Sequence, residues 1–240
     1  MIQIIPAIDL IDGKCVRLSK GDYGSKKEYS ASPEEMVRQY ADHGVSRVHV
    51  VDLDGAKSSQ PRNLKTLEKL ASVGGVTLEW GGGIKTSDAL RDVFNAGADY
   101  AVIGSVAAKN PPLFQQWLDE YGSLRMVLGA DANEGKIAVN GWLEKTEMTI
   151  EELVGGFAGL TQVICTDISK DGMLEGPAFD LYVRLQSAYP AVDFTVSGGI
   201  SSMADIEKLQ ELNLRKVIVG KAIYEGRISL EDIERWSLKG

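Results

Sequence analysis

Two aspartates and four glycine-containing motifs are the residues of this sequence whose types and spacing suggest chemistry. Asp9 and Asp131 each close a short apolar run, and each is followed four residues on by a Gly-Lys pair, Gly13-Lys14 and Gly135-Lys136. Two carboxyl groups brought to one cavity can share proton donation and proton abstraction, provided local surroundings keep one protonated and the other ionised near neutral pH. A single Asp at such a position also caps its own loop through backbone N–H groups. The glycine motifs are Gly81-Gly82-Gly83-Ile84, Gly104-Ser105, Gly198-Gly199-Ile200 and Gly220-Lys221. Glycine lets the backbone approach a ligand closely and turn its N–H groups toward phosphate oxygens, although the same residues also make plain tight turns. Gly82, Gly83, Gly104 and Ser105 would form one phosphate cradle, and Gly198, Gly199, Gly220 and Lys221 a second, each reinforced if a short helix begins there.

The elements that must hold these groups follow from the pattern around them. Short apolar runs at Ile2 to Ala7, Arg47 to Val51, Thr77 to Trp80, Tyr100 to Ile103, Arg125 to Ala130, Gln162 to Cys165, Asp193 to Val196 and Lys216 to Val219 read as buried parallel strands. Between them, Pro33 to His43, Asn63 to Ala71 and Ser87 to Ala96 carry apolar residues at helical intervals. Pro33 and Pro111 suit first helical turns, and Gly44 and Gly97 fall just past helix ends. The motifs also repeat. The Gly-Gly-Ile motif and the Gly104 motif both recur 116 residues on, and the Asp9 motif recurs after 122. Strands one to four thus echo strands five to eight. The pattern predicts a (β/α)8 TIM barrel with internal half-barrel duplication, one domain over residues 1–240 with halves of about 1–122 and 123–240. An open doubly wound sheet gives no reason for two equivalent halves.

In such a barrel, catalytic groups lie at the carboxyl ends of strands, and the last two strands commonly hold a phosphate. The duplication supplies a second cradle on the opposite rim, so the expected ligand is a small elongated molecule with two phosphates. Its reacting centre would lie over the barrel axis, between Asp9 and Asp131. The stretches Leu10 to Ser32 and Ala132 to Thr149 exceed ordinary connections and read as lid loops. Trp142, in the second lid, would stack on a flat heteroaromatic group or simply pin the loop. His49 and Asp52 close the second strand and match Cys165-Thr166-Asp167 at the sixth, with Asp171 just beyond. His49 reads equally as a site residue or a satisfied core histidine. Arg17, in the first lid, either meets phosphate or stays solvated, and Lys26-Lys27 reads as solvated surface.

Composition bounds the rest. The 240 residues carry a net charge of −8 without a cluster of Lys and Arg, which argues against nucleic acid and anionic membranes as partners. The amino terminus lacks the features of a signal peptide, and no apolar run reaches the ~18 residues that span a bilayer. Cys15 and Cys165 suit free thiols of a reducing cytoplasm. His43 and His49 lack partners at zinc-ligand spacing, so no metal is expected. A closed barrel leaves no strand edge that demands a partner, and a monomer is the default expectation.

Taken together, the segments 5–18 (Ile-Pro-Ala-Ile-Asp-Leu-Ile-Asp-Gly-Lys-Cys-Val-Arg-Leu), 50–56 (Val-Val-Asp-Leu-Asp-Gly-Ala), Gly81–Ile84, Asn140-Gly141-Trp142, 165–172 (Cys-Thr-Asp-Ile-Ser-Lys-Asp-Gly) and Ser197–Ile200 resemble a known family. It is the isomerase of histidine biosynthesis that acts on phosphoribosylformimino-5-aminoimidazole carboxamide ribotide. The resemblance runs from Met1 to about Trp236. It implies a cofactor-free Amadori rearrangement of an N-linked aminoaldose to an aminoketose, on a substrate phosphorylated at both ends. It further implies Asp131 as the general acid that opens the ribose ring and Asp9 as the base that takes the C2 proton. Trp142 would stack on the imidazole carboxamide, with Arg17, His49, Thr166 and Asp171 lining the site. Three other readings share parts of this pattern: the cyclase subunit of imidazole glycerol phosphate synthase, dual activity with phosphoribosylanthranilate isomerase, and a non-catalytic phosphate-ligand sensor. Val16-Arg17, the order Thr166-Asp167-Ile168-Ser169 and the Asn-Gly-Trp loop favour the isomerase over the cyclase. A sensor has no need of opposed carboxylates.

Overall fold

A computed structural model describes residues 1–19 and 22–239. Lys20 and Gly21, inside the first expected lid, and Gly240, at the end of the expected domain, lie outside the described residues. In chain order the elements begin with β1 (Gln3–Ile11), β2 (Lys14–Ser19), β3 (Asp22–Glu28), α1 (Pro33–Asp42), β4 (Arg47–Asp52), α2 (Leu53–Ser58), α3 (Leu64–Val73), β5 (Thr77–Gly81), α4 (Ser87–Asn95), β6 (Tyr100–Ile103), α5 (Ser105–Lys109) and α6 (Pro111–Tyr121). The second half follows with β7 (Met126–Asn133), β8 (Lys136–Val139), β9 (Glu144–Thr149), α7 (Ile150–Val154), β10 (Gln162–Asp167), α8 (Phe179–Ala188), β11 (Asp193–Ser197), α9 (Met203–Glu211), β12 (Lys216–Val219), α10 (Lys221–Tyr224) and α11 (Leu230–Ser237).

Eight of the strands pair in parallel in the order β1, β4, β5, β6, β7, β10, β11 and β12, and β12 returns to β1. The sheet is therefore a closed (β/α)8 barrel, as its alternating elements predicted. Strands form where apolar runs can be buried on both faces. Inside the ring, Ile5, Ala7, Val127, Ile164 and Ile218 make a small cluster of their own. Outside it, the far larger core fills the layer between strands and helices, with Trp80, Trp117, Phe114, Phe194 and Tyr182 fully buried. Helix α1 shows how the outer layer is fixed. The Ser32 hydroxyl accepts from Glu35 N, Pro33 occupies the first turn, and Met36, Val37 and Tyr40 face the core.

The two expected lid loops are not loops. β1 runs on past the barrel, and its Asp9–Ile11 end pairs antiparallel with β2, which pairs with β3. β7 likewise continues to Asn133 and feeds the β8–β9 hairpin. Asp12-Gly13 (φ 52° and 71°) and Glu134-Gly135 (φ 54° and 78°) make the tight left-handed turns that matched strand twist requires. The Asp-Gly dipeptide was a legible hairpin signal. The third strand, β3, was not legible, because nearly all of its residues are exposed and polar and show no alternation. Lys27 on that strand is less free than expected, since its Nζ lies 3.1 Å from Glu225 Oε1.

The register also corrects one pairing drawn from sequence. Asp9 lies opposite Val51, which lies opposite Gly81, whereas Asp131 lies opposite Thr166, which lies opposite Ser197. The counterpart of Thr166 is thus Val51, and His49 sits two residues lower, opposite Ala7. Asp52 is a structural residue. Fully buried, it accepts from Gly55 N at 2.8 Å, Arg62 N at 2.7 Å, Asn63 N at 3.0 Å and Asn63 Nδ2 at 2.7 Å, tying the loop after β4 to the barrel. Asp52→Ala leaves those donors without partners, and the expected loss is about 3 kcal/mol of unfolding free energy, read from urea denaturation.

Candidate active site

At the carboxyl ends of the strands the barrel opens into a cavity of about 1540 Å³, counting its open mouth. Every site residue expected from the sequence lines it: Asp9, Arg17, His49, Gly82, Gly83, Gly104, Ser105, Asp131, Trp142, Thr166, Asp171, Gly198, Gly199, Gly220 and Lys221. Asp9 and Asp131 arrive there because each sits where a barrel strand turns into its hairpin. The rims are built by close backbone approach. A methyl group on Gly82 would run into the carbonyl oxygen of Asp52, and one on Gly199 into that of Gly176. Gly104 and Gly220 immediately precede the short helices α5 and α10. Their N-terminal N–H groups therefore lie along the same rims.

The two aspartates have different neighbours. Asp9 Oδ2 accepts from Arg17 Nη1 at 2.8 Å, a part-buried pair between the strand end and the first hairpin. Burial pushes the Asp9 carboxyl above its ordinary range, against the pull of Arg17 and His49. Arg17 is thus neither solvated nor free for phosphate alone. Its guanidinium also lies against the second rim, where a Cβ on Gly220 would come 2.5 Å from Nη2. Burial opposes its charge, but Asp9 and Asp171 hold its proton more firmly than usual.

Asp131 Oδ2 instead accepts from the indole Nε1–H of Trp142 at 2.8 Å. Trp142 pins the second hairpin to the acid itself. Asn140, Gly141 and Trp142 are consecutive left-handed residues, with φ 56°, 64° and 68°. Asn140 anchors this bend, donating its backbone N–H to Ser105 Oγ at 2.9 Å and accepting from Lys85 Nζ at 3.1 Å. Glu144 closes the network, accepting from Asn140 Nδ2 at 2.8 Å and Lys109 Nζ at 2.6 Å.

Sequence reading missed three contributors. Lys85 follows the first Gly-Gly-Ile motif and supplies a cation to that rim; burial, with Lys109 nearby, lowers its pKa. Its position after the motif was the available signal. Tyr23 reaches the cavity from β3, its hydroxyl donating to Leu53 O at 2.9 Å. Glu79, 1% exposed in an otherwise apolar strand, lies 3.0 Å from His49 Nδ1 and makes His49 part of a buried polar cluster. Lys221, at the second rim, donates to Gly172 O at 2.8 Å. Among the described residues, no cluster of His, Cys, Asp and Glu could hold a metal ion, and no helix is long and apolar enough to cross a membrane. Cys15 and Cys165 are free and buried.

Fold and cavity together define the class, a (β/α)8-barrel enzyme whose acids stand between two glycine-lined rims. The chain belongs to the histidine biosynthesis protein family, whose model matches residues 3–229. It is 46% identical over 239 residues, 99% of this chain and 100% of the relative, to the 1-(5-phosphoribosyl)-5-((5-phosphoribosylamino)methylideneamino)imidazole-4-carboxamide isomerase of Cytophaga hutchinsonii. It is 47% identical over 239 residues, again 99% and 100% of the two chains, to the isomerase of the same name from Parabacteroides distasonis. The Bacteroides thetaiotaomicron isomerase is 48% identical over 235 residues, covering 97% of this chain and 98% of its own.

Asp171 faces the same cavity, and burial, reinforced by Asp9 and Asp131, pushes its carboxyl up to about 6 although Arg17 and Lys221 oppose the rise. A carboxyl raised on folding favours the native state below its unfolded value and loses that contribution as pH rises through the native one. Relative to Asp171→Asn, the parent should therefore lose about 2–3 kcal/mol between pH 4 and pH 7. Urea denaturation of both proteins across that range measures it, and a pH-independent difference would contradict the shift.

Proposed function

We propose that this chain performs the reaction its relatives are named for, isomerising 1-(5-phosphoribosyl)-5-((5-phosphoribosylamino)methylideneamino)imidazole-4-carboxamide in histidine biosynthesis. The reaction is an Amadori rearrangement of the N-linked aminoaldose to the aminoketose, and it needs no cofactor. One observation carries the reading: Asp9 and Asp131 line a single cavity between two glycine rims, which suits a substrate with a phosphoribosyl group at each end. Gly82, Gly83, Gly104 and Ser105, with Lys85, would hold one phosphate, and Gly198, Gly199, Gly220 and Lys221 the other.

In this proposal Asp131 protonates the ribose ring oxygen, and the C1–O bond breaks as the nitrogen lone pair forms a C=N bond. Asp9 then removes the C2 proton, and the electrons of that bond form C1=C2 while the C=N pair returns to nitrogen. The resulting enolamine becomes the ketone as its hydroxyl loses a proton and C1 gains one. Trp142 would leave Asp131 to stack on the imidazole carboxamide, and Arg17, His49, Thr166 and Asp171 would complete the binding surface. A second assignment of the acid is favoured by a specific observation. Asp171, with its carboxyl near 6, is partly protonated at neutral pH, the condition a general acid requires.

We further propose that the fold is one domain made of two half-barrels, about 1–122 and 123–240, and that the protein acts as a cytoplasmic monomer on a small bisphosphate rather than on nucleic acid or membrane. The matching registers around Asp9 and Asp131 support the division into halves.

Asp9→Asn and Asp131→Asn should each lower kcat by at least ~10², with KM near the parental value, because a lost acid or base step has that magnitude. Conversion is followed by the spectral change of the aminoaldose without ammonia or glutamine. Parental turnover in either variant rejects that residue's role. If Asp171→Asn rather than Asp131→Asn removes the basic limb of the pH–rate profile, Asp171 is the acid. Activity confined to the aminoketose with ammonia would point to the cyclase instead.

A further inference from the structure

Glu79 is a charged group inside the barrel to which the proposed reaction gives no role. Its Oε1 lies 3.0 Å from His49 Nδ1, and its Oε2 lies 3.4 Å from Arg47 Nη1. Arg47 in turn stacks over the Tyr100 ring, 3.6 Å from the centroid, and reaches Gln162 Oε1 at 3.5 Å. Charges taken this far from water cost several kcal/mol each before their mutual attraction repays it, and apolar residues of similar volume often do as well. The other half of the same barrel manages without charge at the equivalent two positions. Where β4 and β5 place His49 opposite Glu79, β10 and β11 place Ile164 opposite Thr195, and Ile164 packs in the inner apolar cluster. Closing the barrel therefore does not require the polar pair.

The pair lies on the side of Asp9. His49 lines the cavity with Nδ1 committed to Glu79, while Nε2 makes no hydrogen bond among the described residues. His49 is close enough to Asp9 for its charge to favour the carboxylate. Arg17 from β2 and Asp171 from the loop after β10 face the same group, and Arg47 from β4 faces Glu79. The geometry points to Glu79 as a positioning residue for the isomerisation: by accepting from His49 Nδ1–H it fixes the ring with Nε2 toward the cavity beside Asp9, and so distinguishes Asp9 from its counterpart Asp131. This inference rests on the isomerase reading with Asp9 as the base.

Glu79→Gln keeps the size of the side chain but replaces the carboxyl acceptor of Nδ1–H with a weaker amide oxygen. The expected result is a kcat about tenfold lower with KM within about twofold, because the His49 ring beside Asp9 is held less firmly. In a His49→Asn background the same substitution should have no further effect. Nitrogen-15 NMR of the parental His49 ring should show Nδ1 protonated throughout the titration. Parental kcat in Glu79→Gln, the same loss in the His49→Asn background, or a parental His49 protonated only at Nε2 would each overturn the inference. A parent that fails to convert the aminoaldose sinks the isomerase reading instead, and the ring spectrum still decides what Glu79 does.

Discussion

The register of the closed barrel is the constraint on which the site depends. Parallel pairing of β1 with β4 and of β7 with β10 sets Asp9 and Asp131 at equivalent positions of the two halves, opposite Val51 and Thr166 respectively. A slip of one residue in either ladder would send an aspartate to the helix-facing side and bring an apolar neighbour into the cavity, because side chains alternate along a strand. Return pairing of β12 with β1 removes the freedom for such a slip.

Equivalent backbone positions do not make equivalent acids. Asp9 is covered by an arginine from its own hairpin and has a histidine nearby, while Asp131 receives an indole N–H from the second hairpin. The hairpins are thus part of the electrostatics as well as the cover. Asn140 spans from Ser105 on one rim to Lys85 beside it, and Arg17 spans from Asp9 to the backbone of Gly220. Each hairpin therefore touches an acid and a rim together, so a ligand that occupies a rim must rearrange contacts that also reach an acid.

Charge is distributed with the same economy. A chain of net charge −8 repels a bisphosphate at long range, and Lys85, Lys221 and Arg17 set cations only where the cavity lining needs them. Burial opposes the charge of Arg17, but Asp9 and Asp171, joined by Tyr224 and Tyr29, together outweigh it, whereas burial and Lys109 lower the pKa of Lys85.

Much of this was legible in the residues themselves. The eight apolar runs, the glycine motifs repeating at one offset and the paired aspartates pointed to an eight-stranded barrel and to ten of the residues that line its cavity, because periodicity and glycine placement are local properties of the chain, while family resemblance added Arg17, His49, Trp142, Thr166 and Asp171. What the sequence concealed depends on distant partners. β2 pairs with the end of β1, and β3 pairs with β2 although it shows no alternation of its own. Trp142 meets Asp131 only because a run of three left-handed residues folds the hairpin back over the mouth. Glu79 reads as one misplaced acid in an apolar strand until β4 brings His49 and Arg47 beside it. Backbone pattern is written along the chain, whereas the environment of a charge is set by whatever the closed sheet brings within a few ångströms of it, and only the tertiary structure decides that.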